Sequence, residues 1–495
     1  MRRIEFGLLP LVAALVLVAV PAAASAELRT ATVSGPQDAR SCDVKPSVRT
    51  TADGVEFVRT PESCFDGLPG WPYKRRHVVI DGLRQAYVDE GRADGDVVLL
   101  LHGQPSWSYL YRKMIPVLVE AGYRVIAMDH LGFGRSDKPI DIESYSYLGH
   151  FHRLKSFIDK LGLAGINLFV QDWGSLIGLR VAGLQPGRFA SIAVGNGVLP
   201  VIPAGIQPFP PVENPEELTD LPAPYAAIPP QQFPFYDGCT PIVAPSSTYF
   251  ADWMAHAMTA RSFRASQTVE AMTWFDLPAR QQAAYDAPFP SRQYMAGARV
   301  FPSLINEVPG TNARAWAGLT AFRKPFLTIW ASNDPGQLGS CAAQQVFIDN
   351  VPGAAGQPHA RLPEASHFLQ DDQGEQIARR LVRWYVHGNA TAKRTQRQKG
   401  KRIVVSVKVK AREHLEAEIS GAIKVNATYK LKNRTRSIAA GTSLTLKLKP
   451  RKKRQARRIA RALSRGKKAK AKLTVELSDE TGNRKTVKLG VKLKR

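Results

Sequence analysis

Val170-Gln171-Asp172-Trp173-Gly174 is the stretch that decides the fold. Upstream of it, Ile166 to Val170 is a continuous apolar run, the pattern of a strand buried on both faces. Downstream, Trp173 to about Leu184 reads as a helix. Asp172 therefore falls on a sharp strand-to-helix turn, where a side chain is lifted clear of a sheet edge and can act as a nucleophile. That geometry needs a small residue two positions on, and Gly174 supplies it. A carboxylate in this place suits attack on a saturated carbon bearing a leaving group, giving an alkyl ester. Taken by itself, the turn equally allows Asp172 to be an ordinary N-cap for the helix that starts at Trp173.

Around this turn the chain alternates strands and helices. His77 to Ile80 and Gln85 to Val88 read as a hairpin across Asp81-Gly82. Val97 to Leu101, Arg124 to Met128 and Ile192 to Val194 read as buried strands, with helical patterns at Tyr109 to Glu120 and Tyr147 to Leu161. Such alternation predicts a doubly wound, mainly parallel sheet. It stops between Pro200 and Pro245, where 13 of 46 residues are proline. Helical segments follow at 249–258 and 269–285. The strand pattern returns at Phe326 to Trp330 and Ala360 to Leu362, and a last helix is expected over Glu375 to Tyr385. The expectation is a helical cap, about residues 197–310, over the carboxyl edge of the sheet, where open α/β sheets bind ligands.

Three further signals converge on that edge. His102-Gly103-Gln104-Pro105 follows the first buried strand, so the backbone N–H groups of Gln104 and Trp173 are candidates for an oxyanion hole. Asp334 follows the strand ending at Trp330. Of the ten histidines, His367 alone sits just past a late strand and ahead of the final helix. The order Asp172, Asp334, His367 is that of nucleophile, acid and histidine in α/β-hydrolases. The expected fold class is thus α/β, an α/β-hydrolase domain over 71–388 with its helical cap.

His102-Gly-Gln-Pro-Ser-Trp-Ser-Tyr-Leu-Tyr-Arg112, Gly132-Phe-Gly-Arg-Ser-Asp-Lys-Pro139, Gln171-Asp-Trp-Gly174 and Ser366-His-Phe-Leu-Gln370 resemble the haloalkane dehalogenases. So do Arg59-Thr-Pro61, Leu68-Pro-Gly-Trp-Pro72 and Ala287-Pro-Phe-Pro290. The likeness spans about residues 59–388. It implies Asp172 as nucleophile, His367 as base and Asp334 as the acid that orients it. It also implies that halide is held by the indoles of Trp173 and Trp253, as in the subgroup with two halide-binding tryptophans, and that no metal or organic cofactor is needed. Another subgroup places its acid after the preceding strand. Asn196 stands near that place and cannot serve, which favours Asp334. Gln104 departs from the Asn or Glu of relatives, and its amide is a candidate third hydrogen-bond donor to halide. The Pro-rich stretch is longer than the family's usual entry to the lid and bears on substrate size. An epoxide hydrolase is the alternative enzyme, with Tyr249 and Tyr285 as lid tyrosines. A secreted binding protein with a degenerate hydrolase body is the alternative outside enzymes.

The flanks read differently. Among 495 residues the net charge is +26, yet residues 393–495 hold 34 basic and 6 acidic residues, leaving 34 basic and 36 acidic before them. A nucleic-acid reading of the whole chain from its charge is thereby excluded. Residues 1–26 have the basic start, apolar run and small-x-small end of a cleaved export signal, so an extracellular or envelope location is expected. In an oxidising compartment the four cysteines can pair in three ways, with Cys42–Cys64 and Cys239–Cys341 the natural couples. Residues 27–70 read as a polar leader and 389–400 as a linker. Residues 401–495 read as a small sandwich-like β domain with a basic helical connection at Arg451 to Arg465. Its near lack of aromatics argues against base stacking, and an anionic envelope polymer is the expected partner.

Overall fold

The computed structural model describes residues 42, 44–224, 236–237, 239–241, 248–335, 337–385, 388–400, 402–411, 414–439, 441–479 and 484–495. The expected export signal lies outside them. Eight strands form the main sheet: β1 (Arg76–Ile80), β2 (Leu83–Gly91), β3 (Val97–Leu101), β4 (Arg124–Met128), β5 (Ile166–Asp172), β6 (Phe189–Gly197), β7 (Phe326–Ala331) and β8 (Ala360–Leu362). Their spatial order is β1-β2-β4-β3-β5-β6-β7-β8. Pairing is antiparallel through β2–β4 and parallel beyond it. The β1–β2 turn is Asp81-Gly82, with φ of 49° and 73°, the positive pair that suits strand twist in a two-residue hairpin.

The parallel strands look uniformly apolar because both of their faces are covered. Leu99, Ile126, Leu168 and Ile192 enter one apolar cluster, while Leu100, Ala127, Phe169 and Ala193 enter another. The helices beside the sheet are α1 (Met114–Glu120), α2 (Tyr147–Lys160) and α3 (Trp173–Leu184). Between β6 and β7 come α4 (Tyr249–Thr259), α5 (Ala265–Ala271), α6 (Ala279–Asp286), α7 (Ala296–Val300) and α8 (Ala313–Leu319). Then come α9 (Cys341–Asn350) and α10 (Leu369–Trp384). A disulfide joins Cys239 to Cys341 at the head of α9.

Prolines move two helix boundaries from those expected. A helix running from Tyr109 would hold Pro116 in its interior. Instead a 3-10 turn spans Ser108–Tyr111 and α1 starts at Met114, so Pro116 falls in the first turn, where its missing N–H costs nothing. The single helix expected over 269–285 is two, α5 and α6, because Pro278 stands at the junction. The last helix begins earlier than expected, at Leu369, and kinks at Gln373.

Described parts of the expected leader and linker are built into the fold. Within residues 44–70, Glu56–Val58 pairs with Lys138–Pro139, Phe57 and Val58 enter the core, and Cys64 is bonded to Cys42. The buried Asp137 carboxylate takes both Arg59 guanidinium bonds, at 2.6 and 2.7 Å, and the Arg84 N–H. The polar stretch 389–400 includes two strands: β9 (Gly388–Thr391) and β10 (Thr395–Arg397). Their polarity hid this, because Gln396 and Gln398 point inward and bond the backbone of Ser406 and Val404. The remaining strands are β11 (Val405–Ala411), β12 (Leu415–Lys424), β13 (Thr428–Lys430), β14 (Arg434–Ile438), β15 (Ser443–Leu448), β16 (Ala469–Asp479) and β17 (Arg484–Lys494). They build two sheets, β9-β11-β15 and β10-β17-β16-β12-β13, with β14 also paired to β12. One apolar cluster fills the region, and helix α11 (Lys453–Ser464) inserts Ile459 and Leu463 into it.

Asp137→Ala leaves Arg59 largely buried without its carboxylate. The expected loss is about 3 kcal/mol of stability, read as a lower denaturation midpoint in guanidinium chloride; an unchanged midpoint contradicts the structural role given to residues 44–70.

Candidate active site

Asp172 closes β5 and precedes α3 with φ 50° and ψ −133°, a conformation that costs a non-glycine residue about 1–3 kcal/mol. The bend is possible only because neighbouring chain comes close without side chains. A Cβ on Gly174 would lie 2.2 Å from the Leu101 carbonyl oxygen, and one on Gly103 would lie 2.0 Å from Asp172 Oδ1. The carboxylate does not cap its own helix, so the N-cap reading of this residue fails. Instead Oδ1 accepts the Gln104 backbone N–H at 2.8 Å. Of the two amides expected at an oxyanion hole, only that of Gln104 bonds this carboxylate.

Asp334 follows β7 and His367 follows β8. His367 Nδ1 lies 2.8 Å from Asp334 Oδ2, and its Nε2 lies 3.6 Å from Asp172 Oδ2. Burial opposes a charged imidazole here, but Asp334 and then Asp172 outweigh it and push the His367 pKa up to about 10.

Two residues assigned no supporting role from sequence hold this trio in place. Asn196, at the end of β6, donates to Asp334 Oδ2 at 2.7 Å and accepts the Ala331 N–H at 2.6 Å. Gln171 places its amide nitrogen 3.1 Å from His367 Nε2 and 3.1 Å from the His367 carbonyl oxygen. A polar residue in an otherwise apolar buried strand must find partners, and that was the available sign for Gln171.

A cavity of about 430 Å³ opens at this carboxyl edge. Gln104, Asp172, Trp173, Trp253, Asp334 and His367 border it, and most of the remaining wall is apolar. Trp173 and Trp253 are only 4% and 8% exposed. Pro200 and Phe209, from the described part of the Pro-rich stretch, form wall and leave the cavity open. Gln104 Nε2 donates to the Ala298 carbonyl at 2.9 Å; one of its two amide hydrogens is thus committed to α7 and not to a ligand. Tyr249 borders the cavity. Tyr285 does not: it is buried, its hydroxyl donating to the Asp371 carboxylate that also pairs with Arg112.

A sequence profile of the alpha/beta hydrolase fold matches residues 96–336. A haloalkane dehalogenase of Mycobacterium marinum is 42% identical over 340 residues, which are 67% of this chain and 100% of that protein. One from Psychrobacter cryohalolentis is 37% identical over 345 residues, 68% of this chain and 99% of its own length. The chain belongs to the haloalkane dehalogenase family. Among solved structures, the haloalkane dehalogenase DpaA from Paraglaciecola agarilytica NO2 superposes with a TM-score of 0.51 at 30% identity, covering 66% of this chain and 97% of that one. The likeness to these relatives takes in about two thirds of the chain.

The His367 electrostatics are testable. In Asp172→Asn one of the two carboxylates that raise its pKa is gone, so its NMR titration midpoint should fall. In the unmodified protein this raised pKa favours folding fully below about pH 6.5, and that contribution is lost as pH rises through about 10.

Proposed function

We propose that this haloalkane dehalogenase works through Asp172, His367 and Asp334, with Trp173 and Trp253 holding the halide. This assigns it to the subgroup with two halide-binding tryptophans and an Asp-His-Asp triad. The observation that carries the reading is the state of the Asp172 carboxylate: one oxygen is tied to the Gln104 N–H, and the residue borders an apolar cavity shared with two indoles.

The chemistry follows from that arrangement. Asp172 Oδ2 attacks the halogen-bearing carbon. The carbon–halogen bond breaks, its electron pair leaves on the halide, and an alkyl ester forms. Halide charge grows as the bond lengthens, so indole N–H donors in a dry pocket favour the transition state over the intact substrate. Water then adds to the ester carbonyl while its proton passes to His367 Nε2. The carbonyl oxygen charge falls on Oδ1, beside the Gln104 N–H. Collapse of this adduct expels the alcohol, which takes that proton back from His367, and leaves Asp172 as the carboxylic acid; the second proton of the water then leaves through His367 to solvent and the carboxylate is restored. Asp334 keeps Nδ1–H in place and stabilises the imidazolium. Asn196 fixes Asp334. The helical insertion between β6 and β7 acts as the cap that keeps the pocket dry.

Epoxide hydrolysis needs lid hydroxyls that polarise an epoxide oxygen. Tyr285 is spent on Asp371, which weighs against that alternative. Residues 1–26 are proposed to export the chain, and the two C-terminal sheets to pack as a sandwich that retains it on an anionic envelope polymer. In support, Lys424, Lys470 and Lys492 face one another across β12, β16 and β17, and all three are exposed. Like charges directly opposite are unfavourable without a counter-charge. Elution of the full chain and of one ending at residue 388 from cell-wall material at the same low salt would refute retention.

Halide release from short chloro- and bromoalkanes should vanish in Asp172→Asn. His367→Ala should halt at the ester, seen as a mass increase by one alkyl group. Trp253→Phe should lower turnover about a hundredfold. Solvent ¹⁸O should enter the Asp172 carboxylate over repeated turnovers, and its absence there would sink the mechanism.

A further inference from the structure

Gln171 and Asp172 are neighbours on β5, and both approach His367 Nε2. The amide nitrogen of Gln171 is 3.1 Å away; the nearer carboxylate oxygen of Asp172 is 3.6 Å away. The orientation of the amide is set independently of the imidazole ring. The same Gln171 nitrogen lies 3.1 Å from the His367 carbonyl oxygen, which can only accept. The nitrogen end of the amide therefore faces the ring, and its two hydrogens serve the two acceptors. Gln171 is fully buried, and its Oε1 has no hydrogen-bond partner. Leaving that oxygen unsatisfied costs stability, so the orientation is held in spite of a penalty.

A donor pointed at Nε2 can bond only an unprotonated nitrogen. We propose that Gln171 is a positioning residue whose N–H bonds the unprotonated form of His367 Nε2, shifting the imidazole toward a free base against the two carboxylates that favour its closed ion pair with the nucleophile. The inference rests on His367 being the base for ester hydrolysis. The charged groups facing the ring are Asp172, from the end of β5, and Asp334, from the segment after β7. Both favour the imidazolium. The carboxylates carried by α10 are engaged elsewhere: Asp371 with Arg112 and Tyr285, Asp372 with the N–H groups of Ser366, Trp274 and Phe275. His102, after β3, contacts the Gly103 carbonyl and the His130 N–H. Among these described contacts, the Gln171 amide alone opposes protonation. It thus favours an imidazole able to accept the proton of attacking water, and a carboxylate that is not neutralised before substrate arrives.

The test compares the full chain with Gln171→Met, which keeps length but removes the N–H, and Gln171→Glu, which puts an acceptor in its place. His367 is titrated by ¹⁵N NMR without substrate, and the pH dependence of ester hydrolysis is followed after a single alkylation. The titration midpoint should rise by about one pH unit in Gln171→Met and further in Gln171→Glu, and the acid limb of ester hydrolysis should move with it. Thermal unfolding checks that each variant is folded; if Gln171→Met is not, Gln171→Glu carries the comparison. A folded variant whose His367 titrates as in the unmodified protein overturns the proposal. The titration needs no turnover, so it fails or succeeds separately from the dehalogenase reading, which fails if the unmodified protein forms no alkyl ester.

Discussion

The backbone at Asp172 carries the rest of the site. A carboxylate within a buried strand would normally point into one of the two packed faces of the sheet, away from any substrate. A positive φ turns it off those faces toward the sheet's carboxyl edge, and the strain is tolerated because the loop after β3 offers Gly103 beside the carboxylate and α3 offers Gly174 against the Leu101 backbone. Once the carboxylate is held there, one oxygen meets the Gln104 N–H and the other faces His367. Parallel strands with both faces buried make this placement rigid, since the two apolar layers clamp the sheet from either side.

The site draws its side chains from five separate strand ends. Gln104 follows β3, Gln171 and Asp172 end β5, Asn196 is on β6, Asp334 follows β7 and His367 follows β8. Neighbouring strands therefore bring together groups that are far apart in the chain. The insertion between β6 and β7 is stitched to the same region by a half-buried carboxyl. Asp372 accepts N–H groups from Trp274 and Phe275 on one side and from Ser366, the residue before His367, on the other. Burial pushes its pKa up to about 7 even though these three amides pull the other way. Arg112, Asp371 and Tyr285 form a second buried junction between the sheet domain, α10 and α6. Tyr285, which the sequence alone offered as a hydroxyl for catalysis, is thereby a structural residue.

Much of this was legible in the chain because the signals were local. Apolar runs marked the parallel strands, Asp81-Gly82 marked the first hairpin, and the strand–helix switch marked the sharp turn at Asp172. The misreadings also have local causes. Pro116 and Pro278 reset helix boundaries that periodicity alone drew too generously. The polar stretch 389–400 concealed two strands, since Gln396 and Gln398 meet backbone partners inside the fold. The turn-rich residues 44–70 join the core through Phe57, Val58 and the Arg59–Asp137 pair, whose members are 78 positions apart.

Alternation of burial and the chemistry of single residues act over a few positions, and for that reason the sequence by itself determined the sheet, its helices and the identities of the nucleophile, acid and base candidates. Pairings across the chain depend on which strand ends become neighbours, and only the tertiary structure decided these: Asn196 on Asp334, Gln171 on His367, and Tyr285 withdrawn to Asp371. Each is a buried polar group satisfied by a partner distant in sequence, and no local pattern encodes where such a partner will lie.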